Sequence, residues 1–353
     1  MMSQNKTATT LGLLATLLLA GCERPPVEMV QTGFRGTGMA QVYNPRTLST
    51  MAELNRVPEP LAPAESSGPR AKDIYQNVQV LGDLSVQEFT RHMLAITQWV
   101  APKDGCTYCH NPANLADDSK YTKVVARRMI QMTQHINSEW ETHVADTGVT
   151  CYTCHRGNPQ PQDQNGKQAY WYSAATPKRD TAGMLGWRNG QNEAAYSVAM
   201  ASLPKDPFAP FLLRDENIRV QSGAALPQGD NAQTTKSAEW TYGLMNHMSK
   251  SLGVSCTYCH NSRAFASWEE SSPQRVKAWH GIRMVRDLNN QFLEPLGPVY
   301  DADDLGPTGD APKAFCATCH KGAYKPLYGQ SQLKDYPELK APLGSAKTAA
   351  AGD

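Results

Sequence analysis

Apolar side chains recur at helical spacing in one long stretch of the chain. The steps between them are 4, 3, 4, 4 and 3 residues, which places them along one face of a helix, and the positions are Val125, Met129, Met132, Ile136, Trp140 and His143. We therefore predict a helix over about 121–137. A continuation to 144 is left open, because Asn137-Ser138 is a candidate end.

Three further helices are predicted from residues that commonly begin or end helices. Ser85 and Glu88 have the spacing of a capping box, which marks a helix start. Gly253 suits the position just after a helix end, and Pro273 suits the first helical position. The predicted helices are 85–100, 237–252 and 273–292.

The rest of the chain is rich in residues that interrupt helices. Its 26 glycines and 24 prolines among 353 residues cluster between the apolar stretches, so we expect a mainly α protein with much irregular chain. The formal net charge is +1 and aromatic residues make up 8%. This balance does not suggest a nucleic-acid partner.

The N-terminus has the pattern of an export signal. Lys6 precedes an apolar run over 11–20, which is too short to span a bilayer. The run ends in Leu19-Ala20-Gly21-Cys22, which resembles a bacterial lipobox. We therefore predict a signal peptide over 1–21, a diacylglycerol on Cys22 and a lipid-anchored protein on the periplasmic face of the inner membrane. An ordinary cleavable signal with a chance cysteine is the alternative.

Eight of the nine cysteines lie in four C-x-x-C-H sequences, the attachment signature of c-type haem. In such a site the two thiols bond to the two vinyl groups of one porphyrin, and the adjacent histidine binds the iron. Roughly 0.006 matches to this pattern would arise by chance at this Cys and His content. The four predicted haems attach at Cys106 and Cys109, Cys151 and Cys154, Cys256 and Cys259, and Cys316 and Cys319, with iron ligands His110, His155, His260 and His320.

Two other uses of paired cysteines explain the sequence less well. A zinc site could combine C-x-x-C pairs, but it would leave the four following histidines without a role. Thioredoxin-like redox pairs require a βαβ context, which the hydrophobic pattern does not show. A tetrahaem cytochrome c accounts for all four motifs.

The order helix, motif, helix, motif occurs twice, over 85–157 and 237–322. The first motifs of the two halves, at Cys106 and Cys256, start 150 residues apart. We therefore predict two pseudo-two-fold repeats with two haems each. The remaining segments are an N-terminal arm over 22–84, for which a disordered linker is the alternative, a connecting segment over 158–236 and a C-terminal tail over 323–353.

The sixth ligand of each iron separates an electron carrier from an enzyme, because only an open iron can bind a substrate. A methionine ligand raises the potential relative to a histidine ligand. Met93 lies 13 residues before the first motif and Met245 lies 11 residues before the third, each on a predicted helix. Met248 competes with Met245. Four His ligands are also possible, because five histidines lie outside the motifs: His92, His135, His143, His247 and His280. Of these, His92 and His247 lie close to Met93 and Met245 in the sequence and compete with them.

The order of these residues resembles a known family. The chain is similar to the tetrahaem cytochrome subunit of purple-bacterial photosynthetic reaction centres. The similarity rests on the four motifs, on Met93 and Met245, and on the sequence Met-Ile-Gln-Met-Thr-Gln-His-Ile-Asn that starts at Met129. The resemblance covers most of the chain after the signal peptide, including the lipobox. It implies His/Met ligation of three haems and His/His ligation of the fourth. Met93 would bind the iron of the first haem, Met129 the second, Met245 the third and His143 the fourth.

The same resemblance implies the function. All four irons would be six-coordinate, so the protein would be an electron carrier and not an enzyme. It would sit on the periplasmic face of the L and M reaction-centre subunits, with the light-harvesting complex around them, and would re-reduce the photo-oxidised bacteriochlorophyll pair. Its electron donor would be a soluble cytochrome c or a high-potential iron–sulfur protein. The third haem would lie nearest the pair and the first haem outermost.

Helical spacing adds a choice between two histidines. If the helix continues to 144, Met129 and His143 lie within about 40° of one face and roughly 21 Å apart along the axis, so they suit two neighbouring haems. His135 would lie roughly 120° away from that face. Aligning the two halves places Gly281 opposite Met129. This predicts that His143 crosses from the first half to the fourth haem.

Two other functional classes remain as alternatives. A periplasmic multihaem quinol dehydrogenase or nitrogen-oxide reductase would need an open iron, or a membrane helix for quinol access, and the sequence indicates neither. A haem-bearing structural lipoprotein without an electron partner is the second alternative.

Overall fold

The structure is a computed structural model that describes residues 26–31, 33, 38–173, 194–195, 199–200, 203–204, 206–220 and 234–340. Within this part of the chain the α-helices are α1 (Pro45–Leu54), α2 (Ala71–Ile74), α3 (Val86–Val100), α4 (Tyr121–Glu139), α5 (Glu141–Val144), α6 (Cys151–His155), α7 (Ala209–Leu212), α8 (Thr235–Leu252), α9 (Pro273–Leu288) and α10 (Cys316–His320). Strand β1 (Glu28–Gln31) pairs antiparallel with β2 (Ala40–Tyr43), and β3 (Ala194–Ala195) with β4 (Ala199–Met200). The protein is mainly helical with much irregular chain, as the sequence predicts.

The predicted helix boundaries follow from local capping. The Ser85 hydroxyl accepts a hydrogen bond from the Glu88 amide at 3.1 Å, and the Glu88 carboxylate accepts one from the Ser85 amide at 2.9 Å. Helix α8 ends at Gly253, which has the left-handed φ of 65°. Helix α9 begins at Pro273 and continues beyond Leu288 as one π-helical turn over Asn289–Leu293.

The second predicted helix does not continue to Val144. Helix α4 ends at Glu139, and Trp140 leaves helical geometry with φ −114° and ψ 29° before the short helix α5 begins. The angular argument that places Met129 and His143 on one helical face is therefore wrong. The direction of His143 depends on how α5 packs against the rest of the protein.

Two clusters of buried side chains form the core. The larger lies between α4, α7, α8 and α9 and contains Leu244 and Phe315. The smaller surrounds α3 and contains Trp99, with Tyr336 from the C-terminal segment. Tyr336 is only 1% exposed, so the end of the described chain is part of the core around α3. Helix α4 contributes to both clusters and joins them.

Some predictions concern residues outside the described part of the chain. The predicted signal peptide, Cys22, about half of the connecting segment and the tail beyond residue 340 lie there. Among the described residues, no helix has the length and apolar character needed to cross a bilayer.

Candidate haem-binding sites

Each C-x-x-C-H motif forms a single helical turn. The first and third motifs are 3-10 turns (Gly105–Tyr108 and Cys256–Tyr258), and the second and fourth are the short helices α6 and α10. Residues three and four positions apart share one face of a helical turn. The two thiols and the imidazole of each motif are therefore presented on the same side of the backbone.

Backbone carbonyls hold all four motif histidines through the same ring nitrogen. The Nδ1 atoms of His110 and His260 lie 3.1 and 3.0 Å from the carbonyl oxygens five residues later, those of Leu115 and Phe265. The Nδ1 atoms of His155 and His320 lie 3.0 and 2.9 Å from the carbonyl oxygens three residues later, those of Asn158 and Ala323. A carbonyl can only accept, so Nδ1 carries a proton, and in the neutral imidazole it is then Nε2 that has the lone pair.

This arrangement fits a metal ligand. A metal-binding histidine commonly donates its other ring N–H to a carbonyl or carboxylate, which fixes the ring orientation. Burial lowers the pKa of both His155 and His320 to about 4 and also lowers the pKa of His260. These three imidazoles are therefore neutral at pH 7, as iron ligation requires.

His143 faces the histidine of the fourth motif. Its ring centroid lies 6.2 Å from that of His320, and its Nδ1 donates to the Lys277 carbonyl at 2.8 Å. Because an imidazole nitrogen lies about 2 Å from a metal it binds, two imidazoles on opposite sides of one iron have ring centroids roughly 6 Å apart. A Cβ on Gly281 would lie 2.6 Å from Cε1 of His143. The absence of a side chain at Gly281 therefore makes the space for the His143 ring.

His135 has a different environment. Its Nε2 donates to the Asp287 carboxylate at 2.6 Å, and its ring packs against Phe292 at 5.0 Å between centroids. The nitrogen that would bind a metal is therefore engaged in a hydrogen bond between α4 and α9.

The histidines beside the two helical methionines are core residues. His92 and His247 are both 0% exposed. The His92 ring lies edge-on to Tyr336 at 5.5 Å, whereas His247 packs at 4.7 Å from Phe208 and 4.4 Å from Phe315. Neighbouring positions on a helix are rotated by about 100°, so Met93, which follows His92, points to a different side of α3.

The three predicted methionine ligands are partly buried. Met93 packs against the smaller core cluster and Met245 against the larger one, together with Met248. In α3 and α4 the methionine carbonyl accepts a hydrogen bond from the threonine four residues later, Thr97 to Met93 and Thr133 to Met129, each at 2.8 Å.

The second and fourth motifs lie side by side. The Sγ atoms of Cys154 and Cys319 are 3.1 Å apart. Burial raises the pKa of Cys151 and of Cys316 to about 12, so these thiols are neutral in the chain without haem. Among the described residues, no group of three or more His, Cys, Asp or Glu side chains is arranged to hold a metal ion.

The sequence reasoning missed the groups that orient the imidazoles. They are backbone carbonyls, which carry no residue-type signal, and they belong to Leu115, Asn158, Phe265, Lys277 and Ala323. It also missed Asp287, whose carboxylate accepts from His135 and, at 2.8 Å, from Nε1 of Trp140. The hydrogen bond from Trp140 fixes the residue at which α4 and α5 separate.

The protein belongs among the c-type cytochromes. Its chain is mainly α, and each motif is a helical turn that presents two thiols and an oriented imidazole. The family model described as photosynthetic reaction centre cytochrome C subunit matches residues 23–340. The chain belongs to this family, which confirms the resemblance seen in the sequence. It is therefore an electron-carrying cytochrome c subunit of the photosynthetic reaction-centre type, with covalently bound haem.

Several relatives carry the description photosynthetic reaction center cytochrome c subunit. The chain is 55% identical over 341 residues to that of Rubrivivax gelatinosus, covering 96% of this chain and 91% of the relative. It is 50% identical over 337 residues to that of Thermochromatium tepidum, covering 96% and 81%. For Roseobacter denitrificans the identity is 43% over 324 residues, covering 88% and 85%.

Proposed function

We propose that this chain carries four c-type haems and uses them to re-reduce the photo-oxidised bacteriochlorophyll pair of a reaction centre. It would sit on the periplasmic face of the L and M subunits, inside the light-harvesting complex, with a lipid on Cys22 as its anchor. Electrons would come from a soluble cytochrome c or a high-potential iron–sulfur protein. When bound, each haem supplies a one-electron iron couple, and the chain holds, orients and shields it.

The observation that carries this proposal is the common orientation of the four motif histidines. Each one donates Nδ1–H to a nearby backbone carbonyl and keeps Nε2 free. The same arrangement at every C-x-x-C-H motif supports four haem sites of one kind. The attachment cysteines would be Cys106 and Cys109, Cys151 and Cys154, Cys256 and Cys259, and Cys316 and Cys319.

A side chain would close the sixth position of every iron, so that the protein transfers electrons without binding a substrate. For the fourth haem the ligand would be His143, whose ring lies 6.2 Å from His320 and whose Nδ1 is held by the Lys277 carbonyl. Met93, Met129 and Met245 would close the first three haems. The burial of His92 and His247 among aromatic rings supports methionine over histidine at the first and third haems.

A matching pair of backbone hydrogen bonds supports Met245 over Met248. After the second motif the Gly157 amide donates to the Trp99 carbonyl on α3 at 2.7 Å, and after the fourth motif the Gly322 amide donates to the Ser251 carbonyl on α8 at 2.7 Å. Trp99 lies six residues after Met93, and Ser251 lies six residues after Met245. This register makes Met245 the counterpart of Met93.

Further matching contacts support two pseudo-two-fold repeats over 85–157 and 237–322. In each half a hydroxyl fourteen residues after the motif tyrosine donates to that tyrosine's carbonyl, Thr122 to Tyr108 at 2.6 Å and Ser272 to Tyr258 at 2.7 Å. Helix α6 packs on α3 as α10 packs on α8. A duplicated unit with two haems explains why these two segments, far apart in the sequence, share the same bonds.

The test is to purify the protein from photosynthetic membranes. We expect four haems per chain by pyridine haemochrome assay and mass spectrometry, and co-isolation with reaction-centre bacteriochlorophyll. A redox titration should resolve three high-potential components and one lower component. Fewer than four haems would refute the proposal. Carbon monoxide binding by the reduced native protein would indicate an open iron and favour the reductase alternative.

A further inference from the structure

Two basic residues occupy strained backbone positions directly after the second and fourth motifs. Arg156 has φ 49° and ψ 46°, and Lys321 has φ 47° and ψ 48°. A residue with a Cβ is disfavoured in this left-handed region, whereas glycine adopts it without penalty. The presence of a long basic side chain at both of these disfavoured positions points to a role for that side chain.

The two side chains cross between the motifs. Lys321 follows the fourth motif, and its Nζ donates to the carbonyl of Cys154 in the second motif. Arg156 follows the second motif, and its Nη2 lies 3.4 Å from the carbonyl of Cys319 in the fourth. The contacts are reciprocal, so each cation touches both motifs.

Both cations are poorly compensated within the described residues. Lys321 is only 3% exposed, and the buried Nε of Arg156 has no hydrogen-bond partner. Arg156 also donates to the Leu54 carbonyl at 2.7 Å. None of the ion pairs between described residues includes either side chain, and Asp163 acts on Lys321 only from a greater distance. Burying a cation is costly unless it has a counter-charge.

We infer that Arg156 and Lys321 are shared charge partners of the haems on the second and fourth motifs, and that they raise the reduction potentials of both. The inference rests on the proposed four-haem function. Haem brings propionate carboxylates, which are the anions that these two cations lack in the protein. Oxidation adds a positive charge at the iron, and nearby cations oppose that charge more strongly where they are shielded from water, as Lys321 is fully and Arg156 is in part.

Arg156→Gln and Lys321→Gln in the purified holoprotein test the inference by spectroelectrochemical titration of all four haems. In each variant the same two potentials should fall, and the other two should stay at their wild-type values. Arg156→Lys and Lys321→Arg keep the charge and should keep all four potentials. Arg46→Gln removes an equal charge from the exposed surface of α1 and should also leave them unchanged.

The inference is overturned if the glutamine variants leave all four potentials unchanged, or if each shifts only the haem of its own motif. If a glutamine variant fails to attach haem, Arg156→Met and Lys321→Met preserve the packed side-chain stem and are judged by the same two-potential criterion. Four attached haems with unchanged potentials would reject the inference alone. Fewer than four haems in the wild-type protein would reject the proposed function and this inference with it.

Discussion

Replacing Gly281 by alanine would place a methyl group inside the space occupied by the His143 ring. The new Cβ would lie 2.6 Å from Cε1, 3.0 Å from Nδ1 and 3.2 Å from Nε2 of His143. Carbon atoms in contact are normally about 3.5–4.0 Å apart. The ring must therefore retreat by about 1 Å, or α9 must move away from it.

The cost can be worked from these contacts. Overpacking of this kind typically costs about 1–3 kcal/mol, and a retreat of the ring also weakens the 2.8 Å hydrogen bond from His143 to the Lys277 carbonyl. Alanine has a higher helix propensity than glycine, and this difference offsets up to about 1 kcal/mol of the overpacking cost. We expect the free energy of unfolding to fall by about 1–2 kcal/mol. A metal–imidazole bond of about 2 Å does not tolerate a displacement of 1 Å, so ligation of the fourth haem should fail.

The assay is optical spectroscopy of the reduced protein with carbon monoxide. Gly281→Ala should bind carbon monoxide at one haem in four and lose the lowest-potential component, while all four haems stay attached. Gly297→Ala is the matched control, because no neighbouring atom lies within 4 Å of a Cβ built there. If Gly281→Ala binds no carbon monoxide and keeps its lowest potential, then His143 does not ligate the fourth haem through this space.

Other variants test the remaining ligands and one ion pair. Met93→Ala, Met129→Ala and Met245→Ala should each open one iron to carbon monoxide without loss of haem; a spectral change in Met248→Ala instead of Met245→Ala would reassign that ligand. His143→Met should raise the potential of the lowest haem only, and the same shift in His135→Met would contradict the assignment. The Arg127 guanidinium, at 2.8 and 2.9 Å, holds the pKa of Asp118 well below its usual range. The stability from this carboxylate is present above its unfolded pKa of about 4 and is lost as pH falls towards the folded value. Asp118→Asn should therefore lower stability by about 0.5–1 kcal/mol at pH 7 and weaken the pH dependence of urea unfolding between about pH 5 and 3; an unchanged pH dependence would contradict this.

Local spacing in the sequence was sufficient to predict the haem motifs and most helix ends. The thiols and imidazole of C-x-x-C-H stand at positions that share one face of any helical turn, so their juxtaposition needs no distant contact. The capping box at Ser85 and Glu88 and the helix end at Gly253 are likewise interactions within a few residues. The family followed from the order of such local features along the chain.

Long-range contacts decided the rest. Helical periodicity suggested one helix through Trp140, but Nε1 of Trp140 bonds to Asp287, which is 147 residues away, and the helix breaks there. The choice between His143 and His135 also depends on α9. The His143 ring lies against Gly281 and donates to the Lys277 carbonyl, whereas His135 donates to the Asp287 carboxylate. Of the sequence arguments for His143, the structure contradicts the one from helical spacing, because the helix ends at Glu139. Spacing along one helix cannot specify which side chains a second helix brings opposite it, because that depends on the packing of the whole core.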